Sequence, residues 1–220
     1  MRYKPMLAYP VSKKPIDYSV KNFIQPKLDG VRCVIQCDNS IVTAYSRTGK
    51  EWKNINHVLF NLKPFFQLNP DVVLDGELYN HDLKNDFEKI ISCVRKTKPT
   101  SEHRDESQRL VQFHCYDAIL DGLRTHDNVN FDVRDEWIRN NVPNNHIIKH
   151  VETHEIYAEK YAKQIHGINL SKGFEGSILR VNTPYQNKRS HSLRKFKDFH
   201  DSEAKITGWV EGKGKRIGTI

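Results

Sequence analysis

The chain has 220 residues, 37% hydrophobic and 28% charged, with 35 Lys and Arg against 27 Asp and Glu, a formal net charge of +8 and a pI near 9.2. That length holds one sizeable domain, or one domain plus a fragment, and no apolar run approaches the roughly 18 residues of a membrane helix. The start, Met1-Arg2-Tyr3-Lys4-Pro5, carries no apolar leader segment, so no secretion signal and an intracellular location are expected, and the positive excess fits a polyanionic partner such as nucleic acid.

In chain order, residues 1–19 read as a loop-like lead-in. Residues 21–26 and 31–37 are extended runs rich in β-branched residues, joined through the turn dipeptide Asp29-Gly30. Lys27 therefore falls at a strand end entering a tight turn. A third strand, 41–45, ends in Ser46-Arg47-Thr48-Gly49. Val58, Leu59, Leu62 and Phe65 share a helical face over 56–67. Val72-Val73-Leu74 is a short apolar strand that delivers Asp75-Gly76-Glu77 to a sheet end. A helix is expected over 86–95, from Phe87, Ile90, Ile91 and Val94, whereas 96–109 are charged and patternless and read as a mobile loop. The stretch 110–117 forms the next strand, followed by a helix over 131–140, a strand over 147–151 and a helix over 154–169. Last come the glycine-bracketed strand 173–180 and the alternating stretch 193–197, in which Lys195 and Lys197 project to one face. Helices and strands interleave in this way in a mixed α+β domain. The four cysteines, Cys33, Cys37, Cys93 and Cys115, show no Cys-x-x-Cys spacing and read as reduced, buried thiols.

The charged residues at these strand ends suit nucleotidyl transfer. A lysine amine can attack the α-phosphorus of ATP and release pyrophosphate, provided it is unprotonated; a free lysine, with a pKa of about 10.4, rarely is. Neighbouring cations lower that value, and Lys195 and Lys197 supply them while also neutralising phosphate charge. Asp29, Glu77 and Glu175 are candidate carboxylates for Mg²⁺, which needs only one or two. Tyr116 is a candidate to stack on the base, and Arg32 and Arg47 suit bidentate phosphate contacts.

Six blocks in order resemble the nucleotidyltransferase domain of ATP-dependent DNA ligases, most closely small viral or phage ones. They are Lys27-Leu28-Asp29-Gly30-Val31-Arg32, Ser46-Arg47-Thr48-Gly49, Asp75-Gly76-Glu77, Phe113-His114-Cys115-Tyr116-Asp117, Ser171-Lys172-Gly173-Phe174-Glu175-Gly176 running to Arg180, and Leu193-Arg194-Lys195-Phe196-Lys197. The resemblance implies an ATP-grasp-like nucleotidyltransferase domain of antiparallel sheets flanked by helices over 1–200. A hinge and the first strand of an OB-fold domain would follow over 201–220. Lys27 is implied as the adenylate acceptor, Asp29 as a residue that helps assemble the chemistry at the nick, and Lys195 and Lys197 as holders of the α-phosphate. Gln25 would touch the adenine edge and Tyr116 would stack on it. Glu77 would bind the ribose, with Glu77 and Glu175 serving the metal. Arg32 would contact the ribose or the nick, and Arg47 the 5′-phosphate. ATP and Mg²⁺ are the implied cofactors, and nicked duplex DNA is the implied partner of a monomeric enzyme.

A five-stranded OB barrel cannot close in the residues that remain after 201, so the sequence is expected to be a piece of a longer protein. Three other readings stay open at this point: an RNA ligase, an mRNA capping guanylyltransferase that takes GTP, and a non-catalytic nucleic-acid-binding module.

Overall fold

The computed structural model describes residues 4–120, 128–197 and 207–211. Its elements begin with strand β1 (Leu7–Pro10) and a 3-10 turn (Val11–Lys13), then β2 (Asn22–Lys27), β3 (Val31–Asp38), β4 (Ile41–Tyr45) and helix α1 (Asn56–Leu68). Next are β5 (Val73–Tyr79), a second 3-10 turn (His81–Leu83), α2 (Phe87–Val94), α3 (Ser101–Leu110), β6 (Gln112–Ile119) and α4 (Phe131–Asn141). The chain goes on through β7 (Ile148–His150), β8 (His154–Ile156), α5 (Glu159–Ser171), β9 (Gly176–Val181) and β10 (Arg189–Phe196). The α+β class is as expected, and the strands form two five-stranded sheets, ordered β4-β3-β5-β6-β7 and β1-β10-β9-β2-β8. Pairing is antiparallel except at one edge of each sheet, where β1 runs parallel to β10 and β7 parallel to β6.

Alternation along the strands divides the first sheet into two faces. Cys33, Ile35, Leu74, Leu78 and Phe113 point into the main core, against Val58, Leu62, Phe65 and Phe66 of α1. Burying such side chains stabilises the fold by roughly 1.5–3 kcal/mol each. Asp75 and Glu77 fall on the opposite side of the same strand. The second sheet has a smaller core of Ile24 and Leu179 against Ala162 and Ile165 of α5. β2 belongs to the second sheet and β3 to the first, so Lys27 sits where the chain passes between them.

Three expectations are corrected. The loop expected over 96–109 contains α3. Its polar surface carries no apolar stripe, but Thr100 caps it with a reciprocal box, the Thr100 hydroxyl accepting from the His103 amide and the His103 ring from the Thr100 amide. The helix expected from 154 starts only at Glu159, because His154–Ile156 pair with Asn22–Ile24 as an edge strand. The lead-in is not all loop, since Leu7–Pro10 add a strand beside β10. The hinge and OB strand expected over 201–220 lie outside the described residues apart from 207–211, where Trp209 and Val210 are exposed.

Gly176 opens β9 with φ +147°, and a Cβ there would lie 2.3 Å from the Phe196 carbonyl oxygen. Gly167, inside α5, has open space around it. Gly176→Ala is expected to cost more than about 1 kcal/mol of unfolding free energy, whereas Gly167→Ala should raise stability by about 0.5–1 kcal/mol. Denaturant unfolding of the two variants checks both signs.

Candidate active site

Lys27 ends β2 directly opposite Gly176 at the start of β9, and the Glu175 amide donates to the Lys27 carbonyl at 3.2 Å. This register brings the two side chains together: Lys27 Nζ is ion-paired to one oxygen of Glu175, and Lys197 Nζ to the other. All three side chains are between a fifth and a third exposed. One negative charge is thus divided between two ammonium groups. Burial holds Lys27 below the usual lysine range, with the Glu77 and Asp29 carboxylates pulling it partway back. Lys197 is lowered too, by burial first and then by the Lys27 charge. Lys195, two residues earlier on β10, lies opposite Ile178 and makes no ion pair among the described residues. Asp29 is exposed in the turn after Lys27.

Arg32 lies across from Glu77 in the β3–β5 ladder. Its guanidinium grips Asp75 with two bonds, Nε donating to Oδ1 at 2.6 Å, and Nη2 also donates to the Met6 carbonyl at 3.1 Å. The Tyr185 hydroxyl donates to Asp75 Oδ2 at 2.7 Å. Arg32 also stands 5.1 Å from the centre of the Tyr116 ring, while the Tyr116 hydroxyl donates to Glu77 Oε2 at 3.3 Å. Glu77 is pushed up to about 7, by burial foremost, against the opposing pull of Arg32 and Lys27. Asp75 and Tyr185 were not singled out as site residues from sequence; the Asp75-Gly76-Glu77 block carried the signal for Asp75, and nothing marked Tyr185.

β6 carries a bulge here. Asp75 pairs with Asp117 but Gly76 with Cys115, so Tyr116 is the extra residue and both Tyr116 and Asp117 turn toward the second sheet. Asp117 is fully buried. It accepts from Arg134 Nε at 2.8 Å and from Arg180 Nη1 at 2.6 Å. Burial acts to raise its carboxyl, but the two guanidinium groups outweigh that and hold it below the usual range. Arg180 Nε donates to Gln25 Oε1 at 2.7 Å. Gln25, Lys27, Glu77, Tyr116, Ile178, Arg180 and Leu193 line a cavity of about 110 Å³. Arg180, which lines the cavity, and Arg134, which reaches it through Asp117, were not found from sequence, because a buried arginine looks like any surface arginine until its partner is known.

Beside this cavity runs an open groove of about 590 Å³ whose lining includes Arg32, Glu77, Arg47, Lys50 and Arg95. Arg47 is exposed on the turn after β4, so the structure puts it in the groove rather than in the cavity. Lys27 and Glu77 face the cavity with Gln25 and Tyr116, and Arg32 and Glu77 also border the groove.

Residues 5–197 match the sequence family described as ATP dependent DNA ligase domain. Among solved structures, the one named Pmar-Lig_Pre shares 24% identity over 98% of this chain and 51% of its own, with a TM-score of 0.74. The chain thus spans about half the length of that protein. Chlorella virus DNA ligase-adenylate shares 23% identity over 90% of this chain and 70% of its own, with a TM-score of 0.66. The ATP-dependent DNA ligase from bacteriophage T7, in complex with ATP, shares 18% identity over 89% and 69%, with a TM-score of 0.67. These likenesses show a common fold. No curated protein sequence matches the chain.

The Glu77 carboxyl gives a pH signature. Its folded-state value of about 7 lies above the ordinary 4.5. The group therefore costs nothing while it is protonated in both states, and its ionisation penalty grows as pH rises between those values and then levels off. Glu77→Gln is expected to flatten the fall in unfolding free energy across that window, as measured by denaturant titration at several pH values.

Proposed function

The chain belongs to the ATP-dependent DNA ligase family, and on that premise we propose that it forms a lysyl-AMP intermediate on Lys27 and passes the AMP to a 5′-phosphate at a nick in duplex DNA. The 3′-hydroxyl would then displace AMP and seal the strand. The observation that carries this reading is the placement of Lys27: a partly buried amine, held by a carboxylate shared with Lys197, on the lining of a cavity of about 110 Å³ that Gln25 and Tyr116 also line. That the T7 relative was solved with ATP and the Chlorella virus relative as its adenylate supports ATP as the nucleotide. The family match does not favour the RNA-ligase, guanylyltransferase or non-catalytic readings.

In the first step the Lys27 amine attacks the α-phosphorus in line with the bridging oxygen of the leaving pyrophosphate. The nitrogen–phosphorus bond forms as the phosphorus–oxygen bond breaks. Glu175 already touches Lys27 Nζ and is placed to take its proton. Lys197, freed as Glu175 becomes neutral, turns to the α-phosphate with Lys195 and offsets its charge. Tyr116 packs on the adenine, Gln25 reads its edge, and Glu77, ionised above about pH 7, accepts from the ribose hydroxyls. In the later steps Asp29, exposed beside Lys27, helps assemble the nick, Arg47 holds the 5′-phosphate in the groove, and Arg32, fixed by Asp75, steadies the wall between groove and cavity.

The donor set fits a magnesium ion carried largely by the nucleotide. Glu77 and Glu175 offer carboxylate oxygens beside Lys27, and no cluster of three or more ligating side chains is present among the described residues. Mg²⁺ bound there would neutralise phosphate charge. The net charge of +8 supports non-specific contact with a DNA backbone, with the protein acting as a monomer.

Incubation with α-labelled ATP and Mg²⁺, followed by denaturation, is expected to leave label on the protein. The label should be absent in Lys27→Ala, absent with GTP, and removed by pyrophosphate. Nicked DNA should then take up the label, and a nicked RNA duplex should not. Label that persists in Lys27→Ala contradicts the reading.

A further inference from the structure

The base cavity contains one amide whose orientation is fixed from both ends. Gln25 is 1% exposed. Its Oε1 faces Arg180 Nε at 2.7 Å. A guanidinium has donors only, so the group facing it must be the amide oxygen; turning the amide over would set an NH₂ against an N–H at a buried position. At the other end, Gln25 Nε2 lies 2.9 Å from Thr153 Oγ1. The Thr153 hydroxyl donates its own proton to Asp135 Oδ1 at 2.9 Å, which leaves that oxygen free to accept. The second Nε2 proton goes to the Tyr116 carbonyl at 3.3 Å. Both donors of the amide are therefore used, and what remains is one lone pair on Oε1.

Arg180 is itself held. Asp117 receives its Nη1 at 2.6 Å and is anchored on the far side by Arg134, whose Nη1 donates to the carbonyls of Val129 and Thr183 at 2.8 and 3.0 Å. The Arg180 guanidinium also lies 4.7 Å from the Phe131 ring centre and 5.5 Å from that of Tyr116. Turning Arg180 away from Gln25 would disturb these contacts.

We propose that Arg180, backed by Asp117 and Arg134, is a positioning residue for nucleotide choice: it locks the Gln25 amide as a hydrogen-bond acceptor toward the cavity, so that the site takes a purine with a 6-amino group and rejects one with a 6-oxo group. A 6-amino group donates to the spare lone pair. A 6-oxo group sets lone pair against lone pair, and the amide cannot flip to relieve it without stranding Arg180. The inference rests on the adenylylation reading above and adds the reason for its base preference.

The test compares initial rates of protein labelling from α-labelled ATP and from α-labelled inosine triphosphate, which carries a 6-oxo group in place of the 6-amino group. The unaltered chain is expected to favour ATP strongly. Arg180→Met, which keeps the apolar bulk between the two rings, should cut that preference by about tenfold or more, chiefly by admitting the inosine nucleotide. Thr153→Val should cut it less, and Gln25→Glu, which has acceptors only, should keep it. Should Arg180→Met fail to fold by thermal melt, the contrast between Thr153→Val and Gln25→Glu decides. Variants that lose rate equally with both nucleotides overturn the proposal while leaving lysine adenylylation intact. An unaltered chain that takes label from neither nucleotide overturns both.

Discussion

The site depends on one shared carboxylate. Glu175 stands just before β9, between Lys27 at the end of β2 and Lys197 just past β10. Lys27 pairs with Gly176 and Ser177 with Phe196, so three strand ends meet where the two ammonium groups arrive. The close approach of β10 is possible because residue 176 has no Cβ to meet the Phe196 carbonyl. Two cations sharing one anion leave each of them less stabilised than in a simple pair. Burial then holds the Lys27 amine below the usual lysine range, the direction that the proposed chemistry needs.

Around this pair lie two buried charged layers. Arg32 with Asp75 and Tyr185 stiffens the wall under Glu77, and Arg134–Asp117–Arg180 ties the first sheet to the second. Such networks add little net stability, but removing one partner leaves an uncompensated buried charge, at a cost of roughly 3–5 kcal/mol. Their effect is to hold groups in place. Asp117 fixes Arg180, Arg180 fixes Gln25, and Asp75 keeps Arg32 turned toward Tyr116. The cations of the groove, Arg47 and Lys50, are exposed and make no ion pair among the described residues.

Much of this was legible in the sequence, and the rest was hidden for identifiable reasons. Alternation in β3 and β5 showed which residues share a face, and the order of the charged blocks pointed to Lys27, Glu77, Glu175 and Lys197, which the structure brings together. Strict alternation puts Tyr116 and Asp117 on opposite faces; only the bulge at Tyr116 turns both inward, and a bulge leaves no mark in a local pattern. The helix α3 has no apolar stripe, so periodicity could not find it, although Thr100 and His103 cap it. His154–Ile156 become a strand because β2 offers them an edge, a contact more than a hundred residues distant in sequence. The partners of Asp117 lie on α4 and β9 and could not be paired before the fold was known.

The central claim is that Lys27 carries an amine unusually ready to lose its proton. Competitive acetylation of the nucleotide-free protein with trace acetic anhydride, read by peptide mapping across a pH series, measures it directly. Lys27 is expected to titrate below the value of about 10.4 of a free lysine, and to move lower still in Glu175→Gln, where the shared counter-charge is gone. A Lys27 that titrates at or above the free-lysine value, or one that Glu175→Gln leaves unmoved, would contradict the account.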